Sequence, residues 1–377
     1  MRLIRLSLTD FRSYAALTWQ PQERISVLVG PNGSGKTNLL EAVSLLAPGR
    51  GLRGARVADL ARHTAAPLAA GWAVAGRFES ETERLDIGTG SPPEGPPDRR
   101  VFRLDGAAPR SQAEIAARIA AVWLTPQMDR LFQEGLSGRR RFLDRLVWAL
   151  EPGHAREIAA HEAAMTQRNR LLAEPRPDAA WLAGLEDAMA RHAVAATAAR
   201  TALVARLNAA LATGAAAPFP AARLALVCPI ADRLAGNPAL RVEDWLRESL
   251  AASRARDAVT GTAALGAHRT DMALSDAATG QPAAHASTGE QKALLVGLIL
   301  GHAALIAEAR GTAPLLLLDE PAVHLDSGRR AALFAALARL PAQTLITGTD
   351  AETFAPLRAS AELLRTGGGR LLAGTFG

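Results

Sequence analysis

The chain of 377 residues has a single cysteine, Cys228. One thiol excludes an intrachain disulfide framework, and a reducing compartment is the simpler setting. Aromatic residues are scarce at 4%, with Tyr14 the only tyrosine. Stacking platforms for single-stranded bases use more aromatic faces than this, so any nucleic-acid partner is expected to be held by arginine on its backbone. Long apolar runs are also missing. Residues 293–307 form the longest, yet Gly297, Gly301 and His302 interrupt it. It falls short of the roughly 18–20 residues needed to span a bilayer and predicts a buried helix. The opening fourteen residues carry charges every few positions and no apolar h-region, so neither a signal peptide nor a membrane is expected. That makes the cytoplasm the expected location. Scarcest among the basic residues is lysine: of 43 lysines and arginines, only Lys36 and Lys292 are lysine.

What is present describes a globular chain. About half the residues are apolar and 21% are charged, and the length allows two domains with a substantial core. A net charge of +6 favours a polyanionic partner without separating DNA, RNA and membrane surface.

Lys36 lies in GPNGSGKTN, residues 30–38, which fits the phosphate-binding template G-x-x-x-x-G-K-[ST]. The residues before it, 24–29, read as a strand, and Asn38–Leu46 as a helix. Strand, glycine loop and helix together are the context this motif requires. Gly30, Gly33 and Gly35 let the backbone turn its N–H groups toward phosphate oxygens. The helix N-terminus adds partial positive charge, and Lys36 supplies a compact ammonium that a guanidinium replaces poorly. Thr37 is placed to offer its hydroxyl to Mg²⁺. Far downstream, LLLLDEP ends a hydrophobic strand in Asp319-Glu320. Asp319 suits the metal and Glu320 suits orientation or deprotonation of an attacking water.

Along the chain, strands are expected at 1–10 and 24–30, and a basic loop with a short helix at 48–63. Short alternating segments at 72–78, 84–87 and 100–104 predict an antiparallel sheet, with a mobile turn over 88–100. A helix at 111–121 and a strand at 121–124 follow. After Pro126 the composition turns to Ala, Leu, Arg and Glu at helical spacing. Two long helices, about 155–173 and 179–212, are separated by the Pro-containing EPRPD. Strand character returns near Gly261, with a doubly buried strand at 314–318. The expected organisation is an α/β ATPase in two parts, 1–125 and 261–377, flanking a helical insertion at 126–260.

The motifs in order, GPNGSGKTN, STGEQK and LLLLDEPAVHLD, resemble the Walker A, signature and Walker B/D-loop segments of ABC-type ATPases. More narrowly, LTDFRSY near the start, RRRFLDR (139–145), GAHRTDM (266–272) and STGEQKALLVGLILGHA (287–303) are similar to motifs of the RecF family of bacterial recombination mediators. The resemblance covers essentially the whole chain. It implies an ABC-type P-loop ATPase head, with a mixed sheet, helices and an antiparallel β subdomain, carrying an inserted mostly helical domain. It implies ATP and Mg²⁺ as ligands, with Gly30, Pro31, Asn32, Gly33, Ser34, Gly35, Lys36, Thr37, Asn38 and Arg12 at the nucleotide, and Thr37, Asp319 and Gln127 at the metal. Ser287, Thr288, Gly289, Glu290, Gln291 and Lys292 would act in trans on a partner's nucleotide. Asp326 would organise the dimer interface.

The resemblance also implies an ATP-dependent homodimer and a weak, DNA-stimulated ATPase. Its role would be in the DNA-damage (SOS) response, at gapped DNA and single/double-strand junctions. There it would help to load the strand-exchange recombinase with RecO and RecR. Several residues have plainer alternatives. Ser287-x-x-Glu290 is also a capping box, Asp326 also suits a helix N-cap, and Arg12 and Gln127 also suit the surface. The transporter switch histidine is replaced by Thr347 or Thr349. DNA-contact candidates are Arg50, Arg53, Arg56 and Arg62, and Arg139, Arg140 and Arg141, the alternative being a solvated or ion-paired face. His268, Arg269 and Asp271 carry no assignable chemistry. Two other classes are a chromosome-structure or double-strand-break ATPase, disfavoured by broken helices, and a transporter cassette, disfavoured by the absent histidine.

Overall fold

The computed structural model describes every residue except 63–70, 81, 82, 93, 95, 97, 134 and 377. Part of the turn expected at 88–100 therefore lies outside the described residues. The chain forms two compact units. Unit 1 comprises Met1–Asp129, Gly214–Pro220 and Ser287–Gly377, and unit 2 comprises Arg130–Thr213 and Ala221–Ala286.

Unit 1 opens with β1 (Arg2–Phe11), β2 (Tyr14–Trp19), β3 (Ile25–Val29) and α1 (Lys36–Leu46). Next come β4 (Ala73–Glu79), β5 (Arg84–Gly90), β6 (Val101–Leu104), α2 (Gln112–Arg118) and β7 (Ala121–Leu124). Unit 2 begins with α3 (Leu136–Leu150), α4 (His154–Leu172) and α5 (Ala179–Ala212). It continues with β8 (Ala222–Val227), α6 (Pro229–Leu234), α7 (Ala239–Ala252), α8 (Arg254–Thr260) and β9 (Asp271–Asp276). Unit 1 then resumes with α9 (Thr288–Arg310), β10 (Leu315–Leu318), α10 (Ser327–Arg339), β11 (Thr344–Gly348), β12 (Ala361–Gly367) and β13 (Arg370–Gly374).

Two sheets build unit 1. One is antiparallel in the order β2-β1-β4-β5-β6, and the other is mixed in the order β13-β12-β3-β11-β10-β7. In the mixed sheet only the β12–β13 pair is antiparallel. Its inner strands ISVLV, LLLL and TLITG are buried at every position, as parallel strands covered on both faces must be. Between the sheets, α1 buries Leu39, Leu40, Val43 and Leu46 against Leu3, Leu6 and Phe78 on one side and Leu317 and Leu345 on the other. The loop that precedes α1 is thus clamped by the core.

β2 is an element the sequence reading did not contain. The chain reverses at Asp10 and Arg12, which adopt φ values of 43° and 51°. Neither is glycine, so the usual turn signal is absent. The helix α9 is long and apolar enough to cross a membrane by length and composition. Every residue from Gln291 to Ala303 is nevertheless buried inside the fold, in line with the expected buried helix. Gly297 makes room for the returning segment 214–220: a Cβ there would lie 3.3 Å from Phe219 and from Pro220 O.

Unit 2 is mostly helical. α5, at 34 residues, is about 50 Å long, and Asp178 caps its start by accepting from the Ala180 and Trp181 amides. The sequence boundary at 260 is corrected: residues 261–286 belong to unit 2, because β9 pairs antiparallel with β8 from within the insertion. Residues 214–220, assigned to the insertion, belong to unit 1.

Candidate nucleotide site

The GPNGSGKTN loop joins β3 to α1. Gly30 and Gly35 have φ values of 157° and 105°, and both are hemmed in. A Cβ at Gly30 would lie 2.7 Å from Thr366 O, and one at Gly35 would lie 2.8 Å from Ser13 Oγ and 3.0 Å from Tyr14 Oη. Only glycine fits at either place. Lys36 begins α1 with its side chain folded over the loop, donating to Gly30 O at 2.6 Å and Pro31 O at 3.1 Å. The loop is pinned from two further strands. Tyr14 of β2 donates from Oη to Gly35 O at 3.0 Å, and burial pushes the phenol pKa up, so it remains a donor. Thr366 of β12 shares a 2.6 Å hydrogen bond with Ser34. The sequence marks Tyr14 as the only tyrosine and as the end of LTDFRSY but gives neither it nor Thr366 a role at the loop.

Asp319 follows β10 and meets two hydroxyls on one oxygen: Thr37 Oγ1 donates to Oδ1 at 3.0 Å and Thr347 Oγ1 at 2.8 Å. No described residue hydrogen-bonds Oδ2. The donor set is therefore a hydroxyl and a carboxylate with a free oxygen, which suits a hard cation such as Mg²⁺. Glu320 is half-buried in a left-handed conformation with φ 49°, and its carboxylate has no hydrogen-bond partner among the described residues. Thr347 is fully buried, whereas Thr349 is exposed and bonds Asp350. Gln127 is exposed in a short 3-10 turn, Pro126–Arg130. That turn directly follows β7, whose Leu124 pairs with Leu318 beside Asp319.

The signature segment begins α9. Ser287 caps the helix, accepting from the Glu290 amide at 3.4 Å while its own amide donates to Glu290 Oε2 at 2.8 Å. The capping-box alternative is therefore present, and Ser287, Thr288 and Glu290 remain exposed. Gly289 lies against the start of α10, where a Cβ would come within 3.1 Å of Arg329. Asp326 caps α10 through the Arg329 amide at 2.8 Å and stays 58% exposed. Lys292 is 1% exposed and grips both carboxylate oxygens of Asp129, at 2.8 and 2.9 Å. The second lysine thus ties the signature helix to the turn that carries Gln127.

Arg12 donates to both carboxylate oxygens of buried Glu41, at 2.9 and 3.0 Å, and to Asp59 O at 2.8 Å. Arg53 bonds Asn38 Oδ1 at 2.8 Å, and Arg62 pairs with Asp10 at 3.0 Å. Arg50 and Arg56 are exposed. In unit 2, Arg139 forms a bidentate pair with Asp271 at 2.7 and 2.9 Å, Arg140 donates to His268 O, and Arg141 is exposed. For Arg139 the ion-paired alternative holds, although the acid is Asp271 and not the nearby Asp144. Asp144 instead serves Arg200 and His154. Arg200, fully buried, also donates to Ala267 O and Thr270 at 2.8 Å each. His268 and Arg269 both bond Ala263 O. The segment 266–272 is thus a polar hub between α3, α5 and β9, and no group of three or more His, Cys, Asp or Glu placed to hold a metal occurs there or elsewhere among the described residues.

Comparison with known proteins bears on the whole chain. The model of the RecF/RecN/SMC N terminal domain matches residues 2–367. The DNA replication and repair protein RecF of Allorhizobium ampelinum is 47% identical over 369 residues, 97% of each chain. That of Agrobacterium fabrum is 46% identical over 372 residues, 98% of each chain. A solved structure of the recombination mediator RecF with ATPγS, in the RecFOR pathway, aligns over 99% of this chain and 98% of that one, with TM-score 0.84 and 20% identity. An Smc head bound to the C-terminal winged-helix domain of ScpA gives TM-score 0.57 at 15% identity, over 100% of this chain and 98% of that one. The last two establish the fold, the RecF/SMC ATPase head with antiparallel and mixed sheets and a helical region. By sequence and by fold, the chain belongs to the RecF family of DNA replication and repair proteins.

Proposed function

We propose that this chain is an ATP-switched DNA clamp of recombinational repair. The observation that carries the reading is the meeting of Thr37, Asp319, Thr347 and Glu320 beside the Lys36 loop. The loop glycines present amides to phosphate, Lys36 neutralises the β- and γ-phosphates, and Thr37 with Asp319 would hold Mg²⁺. The metal, when bound, supplies charge neutralisation on the phosphates. Glu320, with an unengaged carboxylate, orients and deprotonates the attacking water.

The exposed Ser287 start of α9 offers the Thr288 and Gly289 amides and a helix dipole to the γ-phosphate held by a second copy, together with a hydroxyl that must leave Glu290 Oε2, to which it donates at 2.7 Å. Each site would then be complete only in a dimer, so ATP favours assembly and hydrolysis releases it. A lone subunit hydrolyses slowly, and DNA stimulates it. The action would be cytoplasmic, at gapped DNA and single/double-strand junctions. With RecO and RecR, the chain would assist loading of the recombinase, as the RecFOR pathway of the ATP-bound relatives suggests.

Light scattering tests this on wild type and Lys36→Arg, with ATP and Mg²⁺, with and without gapped duplex. Dimers that need ATP and vanish in the variant, together with salt-sensitive DNA binding, are the expected result. A wild-type monomer indifferent to both ligands would overturn it.

A further inference from the structure

We propose that Thr347 is a positioning residue for ATP hydrolysis, fixing the metal carboxylate and the catalytic glutamate to one another through a single hydroxyl. The proposal rests on the nucleotide-site reading above and assigns a task to a residue that the motifs offer only as one of two replacements for the transporter switch histidine. Thr347 is next to last in β11 and is fully buried. Parallel pairing of β11 with β10, with Ile346 opposite Leu318, delivers it beside the end of the Asp319 strand. Its one proton goes to Asp319 Oδ1 at 2.8 Å, and its oxygen accepts the Glu320 amide at 2.8 Å. The hydroxyl's only proton is therefore committed, and with it the orientation of the group.

Two consequences follow. At Asp319, Thr37 and Thr347 both donate to Oδ1, which anchors that oxygen and leaves Oδ2 without a hydrogen-bond partner among the described residues. At Glu320, the amide hydrogen bond helps to hold a non-glycine residue at φ 49°, a conformation that persists only where its surroundings enforce it. Phosphate binding by Lys36 and the loop amides needs neither consequence. Water attack needs both, since a small misplacement of a general base costs rate steeply. Loss of the Thr347 hydroxyl should slow hydrolysis and spare binding.

The test compares wild type, Thr347→Val and Thr347→Ser in the full-length protein. A fluorescent ATP analogue with Mg²⁺ reads affinity, and single-turnover hydrolysis with gapped duplex reads the chemical step. We expect Thr347→Val to bind within about threefold of wild type and to hydrolyse at least tenfold more slowly, the scale of one lost charge-assisted hydrogen bond. Thr347→Ser should recover the rate to within about threefold, because it restores the same donor and acceptor. Wild-type turnover in Thr347→Val overturns the proposal. So does a serine variant as slow as valine, or loss of affinity equal to the loss of rate in both variants. Wild type that binds the analogue but leaves it intact overturns this inference and the hydrolytic role of Glu320, and leaves nucleotide binding standing. Wild type that fails to bind it removes the nucleotide reading as well.

Discussion

A peptide group is planar and trans, so holding its carbonyl also aims the amide on its far side. Tyr14 acts on the Gly35–Lys36 peptide in this way: the phenol holds Gly35 O, and the Lys36 N–H must point the other way. Tyr14→Phe removes only that hydroxyl. We expect the fluorescent ATP analogue to bind about two- to tenfold more weakly, the worth of one neutral hydrogen bond. Unchanged affinity would mean that the ring merely fills space. Lys292 raises a related question, since arginine is used almost everywhere else. The side chain is 1% exposed and meets both oxygens of Asp129, a carboxylate that a guanidinium fork also matches, so the bulk of the larger head in a buried site is what opposes arginine. Lys292→Arg should lower stability by about 1–3 kcal/mol through overpacking, measured by urea unfolding. A variant as stable as wild type would show that the cavity accommodates the guanidinium.

At the level of elements, the clearest electrostatic prediction concerns the α4–α5 pair. His161 of α4 is 1% exposed, bonds Met189 O of α5 at 3.2 Å and reaches His268 at 3.4 Å. Burial chiefly, with His268, Arg200 and His192 nearby, lowers its pKa to about 4 from 6.5. Below pH 6.5 the unfolded chain takes up a proton that the folded chain refuses until about pH 4. Stability is thus full above pH 6.5 and falls as pH drops through that window, by roughly 3 kcal/mol. Urea midpoints measured from pH 7 to 5 should decline, and less steeply in His161→Leu; equal slopes would place the effect elsewhere. Elements of this kind differ in how openly the sequence declares them. The two long helices and the strands β3, β7 and β10 carry their own periodicity and burial. β2 hides behind a turn without glycine, and β9 is a strand only because β8 lies beside it. The same division runs through the site. Lys36, Thr37, Asp319 and Glu320 sit in contiguous motifs. Tyr14, Thr347 and Asp129 act across 21, 28 and 163 residues of chain, which no local pattern encodes.

For the molecule as a whole, the surplus of +6 is what remains after many arginines have found acids. Arg139 with Asp271, Arg168 with Glu186 and Asp257, Arg200 with Asp144 and Arg254 with Glu186 are internal pairs of unit 2. Removing such an arginine strands a carboxylate that is buried (Glu186, Asp257) or largely covered (Asp271, Asp144), which destabilises the fold. Arg50, Arg56 and Arg141 are exposed, and none has an ion-pair partner among the described residues. Among the sequence's DNA-contact candidates, these are exposed cations with no ion pair to give up before they displace counterions from a phosphate backbone. On the clamp reading, removing one phosphate-binding arginine should shallow the log-affinity against log-salt slope by about one. Fluorescence anisotropy of a labelled duplex, titrated between about 50 and 200 mM salt, separates the two kinds of arginine. Arg50→Ala, Arg56→Ala and Arg141→Ala should flatten the slope at unchanged thermal stability, whereas Arg139→Ala should lower stability at unchanged slope. An Arg139→Ala protein that keeps its stability and loses a unit of slope would put DNA on the face that Asp271 now covers.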